Sequence, residues 1–190
     1  MNLKKIGKVL GIGIIVIIIA SLATVGFVFY DLMSYTATSS QTLNPSVTEV
    51  GKALVVYDPG VSGAAKNVAG TIASDLQSKG YKVELAGIRS AVAKNTSKYG
   101  VIVVGGPIYA GSASASVNNY LKALKPVQGT KIGVFSTGQD PDIAKNTTLL
   151  LKEAAPLPKN STLQIKAAVK IVSVENDKQK IKDFVDTLLQ

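Results

Sequence analysis

Three glycine-bearing stretches hold the residues of this chain that could do chemistry. The first is Asp58, Pro59, Gly60, Val61, Ser62, Gly63, Ala64 and Ala65, which joins a β-branched apolar run to a segment of helical periodicity. Unpaired N–H groups at a helix N-terminus, with the positive end of the helix dipole, favour an anion. Gly60 and Gly63 let the backbone approach closely and Ser62 adds a hydroxyl, so the loop reads as a phosphate cradle. An ordinary βα turn with Ser62 as N-cap would use the same residues. The second stretch, Gly105 to Gly111, sets Gly106, Pro107, Ile108, Tyr109, Ala110 and Gly111 behind the most continuous apolar run of the domain. The third is Ser136-Thr137-Gly138-Gln139-Asp140.

Neither histidine nor cysteine occurs among the 190 residues. A Ser-His-Asp or Cys-His triad, a histidine-held zinc and a proximal-histidine haem are excluded. Disulfides, iron–sulfur clusters and thiolate catalysis go with the cysteine. No metal is expected, and redox chemistry would need a non-covalently bound organic cofactor. Gly60-Val61-Ser62-Gly63-Ala64 approximates the nucleophile elbow of serine hydrolases, but its last glycine is Ala and no imidazole base exists. Lys66 stands outside the G-x-x-x-x-G-K-[ST] spacing, which removes a P-loop.

These stretches need elements to hold them at one edge. Apolar runs at 53–57, 81–88, 99–106, 131–137 and 165–173 predict five strands. Between them, Ala65, Val68, Ala69, Ile72, Ala73 and Leu76 fall on one helical face, as do Ala113, Val117, Tyr120, Leu121 and Leu124. A short helix is expected over 89–97, another over 141–155 before Pro156, and a last one from Asp177 that turns Ile181, Phe184, Val185, Leu188 and Leu189 inward. Strands alternating with helices require right-handed crossovers and a parallel sheet, here an open doubly wound α/β sandwich. Ligands of such sheets sit beyond the carboxyl ends of the strands, where all three stretches lie.

The run Gly105-Gly106-Pro107-Ile108-Tyr109-Ala110-Gly111 resembles the flavodoxin family, whose third strand commonly ends in Gly-(Ser/Gly)-Pro-x-Tyr-x-Gly. The likeness spans about 52–190 and is similar to the short-chain members. It implies a flavodoxin-like three-layer sandwich with a five-stranded parallel sheet in the order 2-1-3-4-5, and FMN as cofactor. By that resemblance residues 58–65 hold the phosphate, Ser62 and Gly63 matching a hydroxyl and the glycine of the family loop. Tyr109 matches a flavin-stacking aromatic, and Thr137 and Gly138 belong to a third flavin-side loop. Ala64 and Ala65 stand where the family has a polar residue and a threonine, which leaves the phosphate to backbone N–H groups. The expected function is electron transfer to an unidentified redox partner. A flavin-free surface binding or scaffold module and a flavin-dependent quinone or tetrapyrrole oxidoreductase are the alternatives.

Composition sets the location. The chain is 46% hydrophobic with mean hydropathy +0.27, and residues 9–30 carry no Asp, Glu, Lys or Arg. Twenty-two residues are long enough, at about 1.5 Å each, to cross a hydrocarbon core of about 30 Å. Lys4, Lys5 and Lys8 precede this run and no further Lys or Arg follows until Lys52, which places the N-terminus in the cytoplasm. The expected organisation is a basic N-terminus at 1–8, an uncleaved transmembrane signal anchor at 9–30, a Ser/Thr-rich tether at 31–50 and an extracytoplasmic domain at 51–190. Sequons at Asn95, Asn146 and Asn160 fit an exterior location. From residue 51 onward, 18 Lys/Arg stand against 10 Asp/Glu, a balance of +8. That charge suits anionic headgroups, acidic glycans or an acidic redox partner. The lysines are spread without aromatic interleaving, so nucleic acid is not an expected partner.

Overall fold

The computed structural model describes residues 11–23, 37–139, 147–158, 160–174 and 177–190. The basic N-terminus, the outer parts of the 9–30 run, residues 31–36 of the tether, Asp140, Asn146 and the start of the helix expected at 141–155 lie outside them. The chain forms two units, Met1–Ser34 and Tyr35–Gln190. In the first, α1 covers residues 11–23 and leaves Ile14, Ile17 and Leu22 more than half exposed. Among the described residues no helix is long and apolar enough to cross a membrane.

The second unit follows the alternation of period-2 and period-3.6 segments. In chain order it contains β1 (Ser40–Leu43), β2 (Gly51–Tyr57), α2 (Ala64–Ser78), β3 (Tyr81–Gly87), α3 (Ala91–Lys94), β4 (Val101–Tyr109) and β5 (Ser112–Ala113). There follow α4 (Ala115–Ala123), β6 (Lys131–Thr137), α5 (Thr147–Ala154), β7 (Ile165–Ile171) and α6 (Lys178–Leu189). The sheet runs β1-β3-β2-β4-β6-β7, with β5 paired to β4. Its parallel part, β3-β2-β4-β6-β7, has the expected order, but the sheet has seven strands and not five.

Both added strands are antiparallel, β1 through distant pairing with β3 and β5 through a local hairpin with β4. β1 lies within the segment read as tether and pairs Thr42 with Glu84 of β3, the threonine hydroxyl donating to the Glu84 carboxylate at 3.0 Å. It covers what would otherwise be an open sheet edge. Gly87 admits it, since a Cβ there would stand 2.4 Å from the Ala37 carbonyl oxygen. Residues 44–50 are also bonded to the domain: Gln77 Nε2 donates to the Asn44 carbonyl and the Val50 N–H to that of Gly80. β5 is the return leg of a hairpin from β4.

Side chains alternate across the central strands into two cores. Ala53 and Val55 of β2, Val103 of β4 and Phe135 of β6 face α2 and α6, where Ile72, Leu76, Phe184 and Leu188 close over them. Leu54, Val56, Ile102, Val104 and Val134 face α3, α4 and α5. Each fully buried aliphatic side chain contributes about 1.5–3 kcal/mol. Close packing explains Gly105, where a Cβ would lie 2.2 Å from the Phe135 carbonyl oxygen.

Candidate functional site

The parallel strands deliver all three stretches to one edge, and the first is held from beneath. Asp58 is buried just past β2. Its N–H donates to the Gly105 carbonyl, its Oδ1 accepts from the Gly60 N–H at 3.3 Å, and its Oδ2 accepts from the Ser114 hydroxyl at 2.5 Å. Ser114 is the N-cap of α4, its Oγ accepting from the Val117 N–H. A buried carboxylate costs several kcal/mol unless hydrogen-bonded, so Asp58 acts as a brace between the first loop, β4 and α4. Gly106 leaves it room, because a Cβ there would meet Val117 Cγ2 at 2.8 Å and Asp58 Cβ at 3.0 Å.

Gly60 (φ 60°) and Gly63 (φ 70°) both use the left-handed region that glycine favours. The N-cap of α2 is Gly63 and not Ser62, and no side chain caps that end; Ser62 Oγ instead accepts from the Ala64 N–H at 3.3 Å. The Ala65 side chain is buried in the α2–α6 core, so only its amide is left to bind anything. Among the described residues the amides of Ala65 and Lys66 meet no acceptor, while Gly60, Val61 and Ser62 form a turn ahead of them. Those free donors sit at the start of a 15-residue helix, the arrangement that attracts an oxyanion.

The second stretch is not an open loop. β4 continues through Pro107 and Ile108 to Tyr109, turns at Ala110 (φ 48°) and Gly111 (φ 77°), and returns as β5. Positive φ at both central residues is the type I′ requirement for a tight hairpin. Ala110 and Gly111 therefore form an exposed tip. Tyr109 leans back over the first loop: a Cβ on Gly60 would stand 3.1 Å from its hydroxyl and 2.9 Å from Pro107 Cγ. Burial pushes the Tyr109 phenol above its ordinary value, the Val61 backbone N–H pulls it back by hydrogen bonding to the oxygen, and the Asp58 charge raises it. The chain's own tyrosine thus lies against one amide of the cradle.

Thr137 is buried and Gly138 half-buried in the third stretch, while Gln139 is exposed. Sequence reasoning missed what lies beneath. Lys170 of β7 is 2% exposed, with Nζ 3.4 Å from Glu153 Oε2 of α5. Ser136, its partner in the β6–β7 register, is buried with no hydrogen-bond partner for Oγ. A Cβ on Gly138 would lie 3.3 Å from Lys170 Cε and 3.6 Å from Ile108 Cβ, so these residues meet where the second and third stretches join. A lysine at a core-facing position of an apolar strand was the available signal.

With this geometry established, known structures identify the architecture. A short-chain flavodoxin associated with a non-canonical PDU bacterial microcompartment matches 74% of this chain and 97% of its own, at 19% identity and TM-score 0.50. The fold is flavodoxin-like. A flavo di-iron protein variant from Thermotoga maritima matches 77% of this chain but 36% of its own, at 20% identity and TM-score 0.50. No protein-family model and no curated protein matches the chain. At these identities the likeness carries the fold alone.

Proposed function

We propose that the domain binds FMN non-covalently at this edge and carries electrons between redox partners. The observation that supports the reading is the pair of free amides at Ala65 and Lys66, opening a long helix on the edge where a flavodoxin-like sheet carries its ligand. The residues present fit the group in two respects. Those amides suit a phosphate whatever the neighbouring side chains are, and the orphaned Ser136 Oγ suits a polar atom of a bound ring.

In this reading the Ser62–Lys66 backbone holds the phosphate, Pro107, Ile108 and Tyr109 flank the ring, and Thr137 and Gly138 border its far side. FMN supplies the one- and two-electron chemistry when bound, and no side chain here need act as acid or base. The anchor at 9–30, with Lys4, Lys5 and Lys8 on the cytoplasmic side, places the carrier at the outer face of a membrane. Protease accessibility in intact cells tests that placement. Protection of the domain overturns it.

The decisive experiment is titration of the full-length chain, purified in detergent, with FMN. Saturable fluorescence quenching and a visible spectrum that survives gel filtration are expected. Colourless protein with no binding at high micromolar FMN overturns the carrier. That outcome favours the second reading, a flavin-free binding module, to which Tyr109 on the Val61 amide and the alanines at 64 and 65 already lean.

A further inference from the structure

Lys170 is the only buried lysine among the described residues, and its surroundings do not satisfy it. An ammonium group has three donors. Here its one hydrogen-bond partner among the described residues is Glu153 Oε2 at 3.4 Å, well beyond the roughly 2.7–2.9 Å of a good charge-assisted bond. Ser136, opposite it in the sheet, holds a second buried polar atom without a partner. Groups of this kind are costly to bury. Both stand at the carboxyl end of the sheet, beneath the contact of Ile108 with Gly138. Any side chain at 138 would rest on the lysine stem, so glycine keeps that flank clear.

We propose that Lys170, with Ser136, recognises the electronegative edge of the bound heterocycle and favours its reduced, negatively charged form. This rests on the FMN reading above. Uptake of two electrons and one proton leaves reduced FMN with one additional negative charge on the ring, and a neighbouring ammonium group in a partly dry site attracts that charge far more than water-screened lysines do. Lys170 is thereby a positioning and tuning residue, distinct from the exposed lysines among the described residues. Its effect is opposite to that of an electron-rich tyrosine face.

The test compares two prepared ligands, oxidised FMN and dithionite-reduced FMN, titrated anaerobically into the full-length chain in detergent. The proteins are wild type, K170R, K170M and the double variant K170M/E153Q, which avoids stranding the Glu153 carboxylate if K170M alone does not fold. Oxidised FMN is expected to bind within about twofold of wild type in every protein, while both methionine variants bind reduced FMN about tenfold more weakly. That ratio equals a fall of about 30 mV in the two-electron potential of the loaded protein, which spectroelectrochemistry reads directly. K170R keeps the wild-type ratio. An unchanged ratio, or equal weakening of both forms, makes Lys170 a structural cation and overturns the inference while leaving FMN binding intact. Absence of saturable binding of either form to wild type overturns both.

Discussion

The two halves of the candidate edge treat buried polar groups in opposite ways. Under the first loop, the Asp58 carboxylate accepts two hydrogen bonds and the Ser114 hydroxyl both donates and accepts. Under the third, Ser136 Oγ has no partner and Lys170 has one distant carboxylate. A satisfied network rigidifies what it touches, whereas an unsatisfied one is paid for in stability and marks where a missing partner would go. The buried groups of the first half therefore brace the loop, and those of the second are the ones short of partners. Substitutions on the two sides separate these roles.

The largest effect is expected from Asp58→Ala. It leaves the Ser114 hydroxyl and the Gly60 N–H without their acceptor and opens a cavity beside Val117, at a cost of about 3 kcal/mol. Urea unfolding of the full chain measures it. A loss below about 1 kcal/mol would show that the brace does not hold the loop.

Ser114→Ala and Ser136→Ala form a matched pair, each removing one buried serine hydroxyl. The first deletes the α4 cap and the Asp58 contact, and should cost about 1–2 kcal/mol. The second removes an atom that has nothing to bond, and should be neutral or stabilising by up to about 1 kcal/mol. Equal destabilisation by both would erase the distinction between the two halves. Tyr109→Phe falls between them, at about 0.5–1.5 kcal/mol lost with the hydroxyl. Because it frees the Val61 amide, the same variant should bind FMN more tightly than wild type, and weaker binding would mean that the hydroxyl belongs to the ligand site.

Legibility in the sequence divides along the same line. The parallel strands were readable because each is a short apolar run, four of the five bounded by glycine, and the α2 and α6 faces because their period is 3.6. β1 was not: Ser-Gln-Thr-Leu has the composition of a linker, and only pairing with Glu84, 42 positions from Thr42, makes it a strand. The hairpin tip was hidden because Ala110 takes a left-handed conformation that its residue type does not announce. The three glycine stretches could be named, and the structure does bring them to one edge. Their floor could not, since Asp58 meets Ser114 across 56 positions and Lys170 meets Glu153 only once α5 has packed. Composition alone counted Lys170 only within the +8 balance.

Tyr99 offers the smallest and most local test, at a site away from the edge. Its hydroxyl is buried and has no hydrogen-bond partner, like that of Ser136, but it can change charge. Burial, reinforced by the Glu84 carboxylate, pushes the phenol up to about 12. The folded state therefore keeps its proton where an unfolded tyrosine, with a pKa of about 10, has begun to lose it. Between those values the unfolded chain binds fewer protons than the folded one, so stability is fully present below about pH 10 and falls as pH rises toward 12. Tyr99→Phe should leave neutral-pH stability within about 0.5 kcal/mol, because no hydrogen bond is lost, and should flatten the alkaline fall. Tyr120, whose phenol is raised chiefly by burial and also by Tyr99, titrates in the same direction and is present in both proteins. The difference between their urea unfolding curves from pH 9 to 12 thus reports Tyr99 together with its coupling to Tyr120. Parallel curves would mean that the phenol reaches solvent or an acceptor, and that an unpartnered buried hydroxyl in this fold carries none of the cost assigned to Ser136.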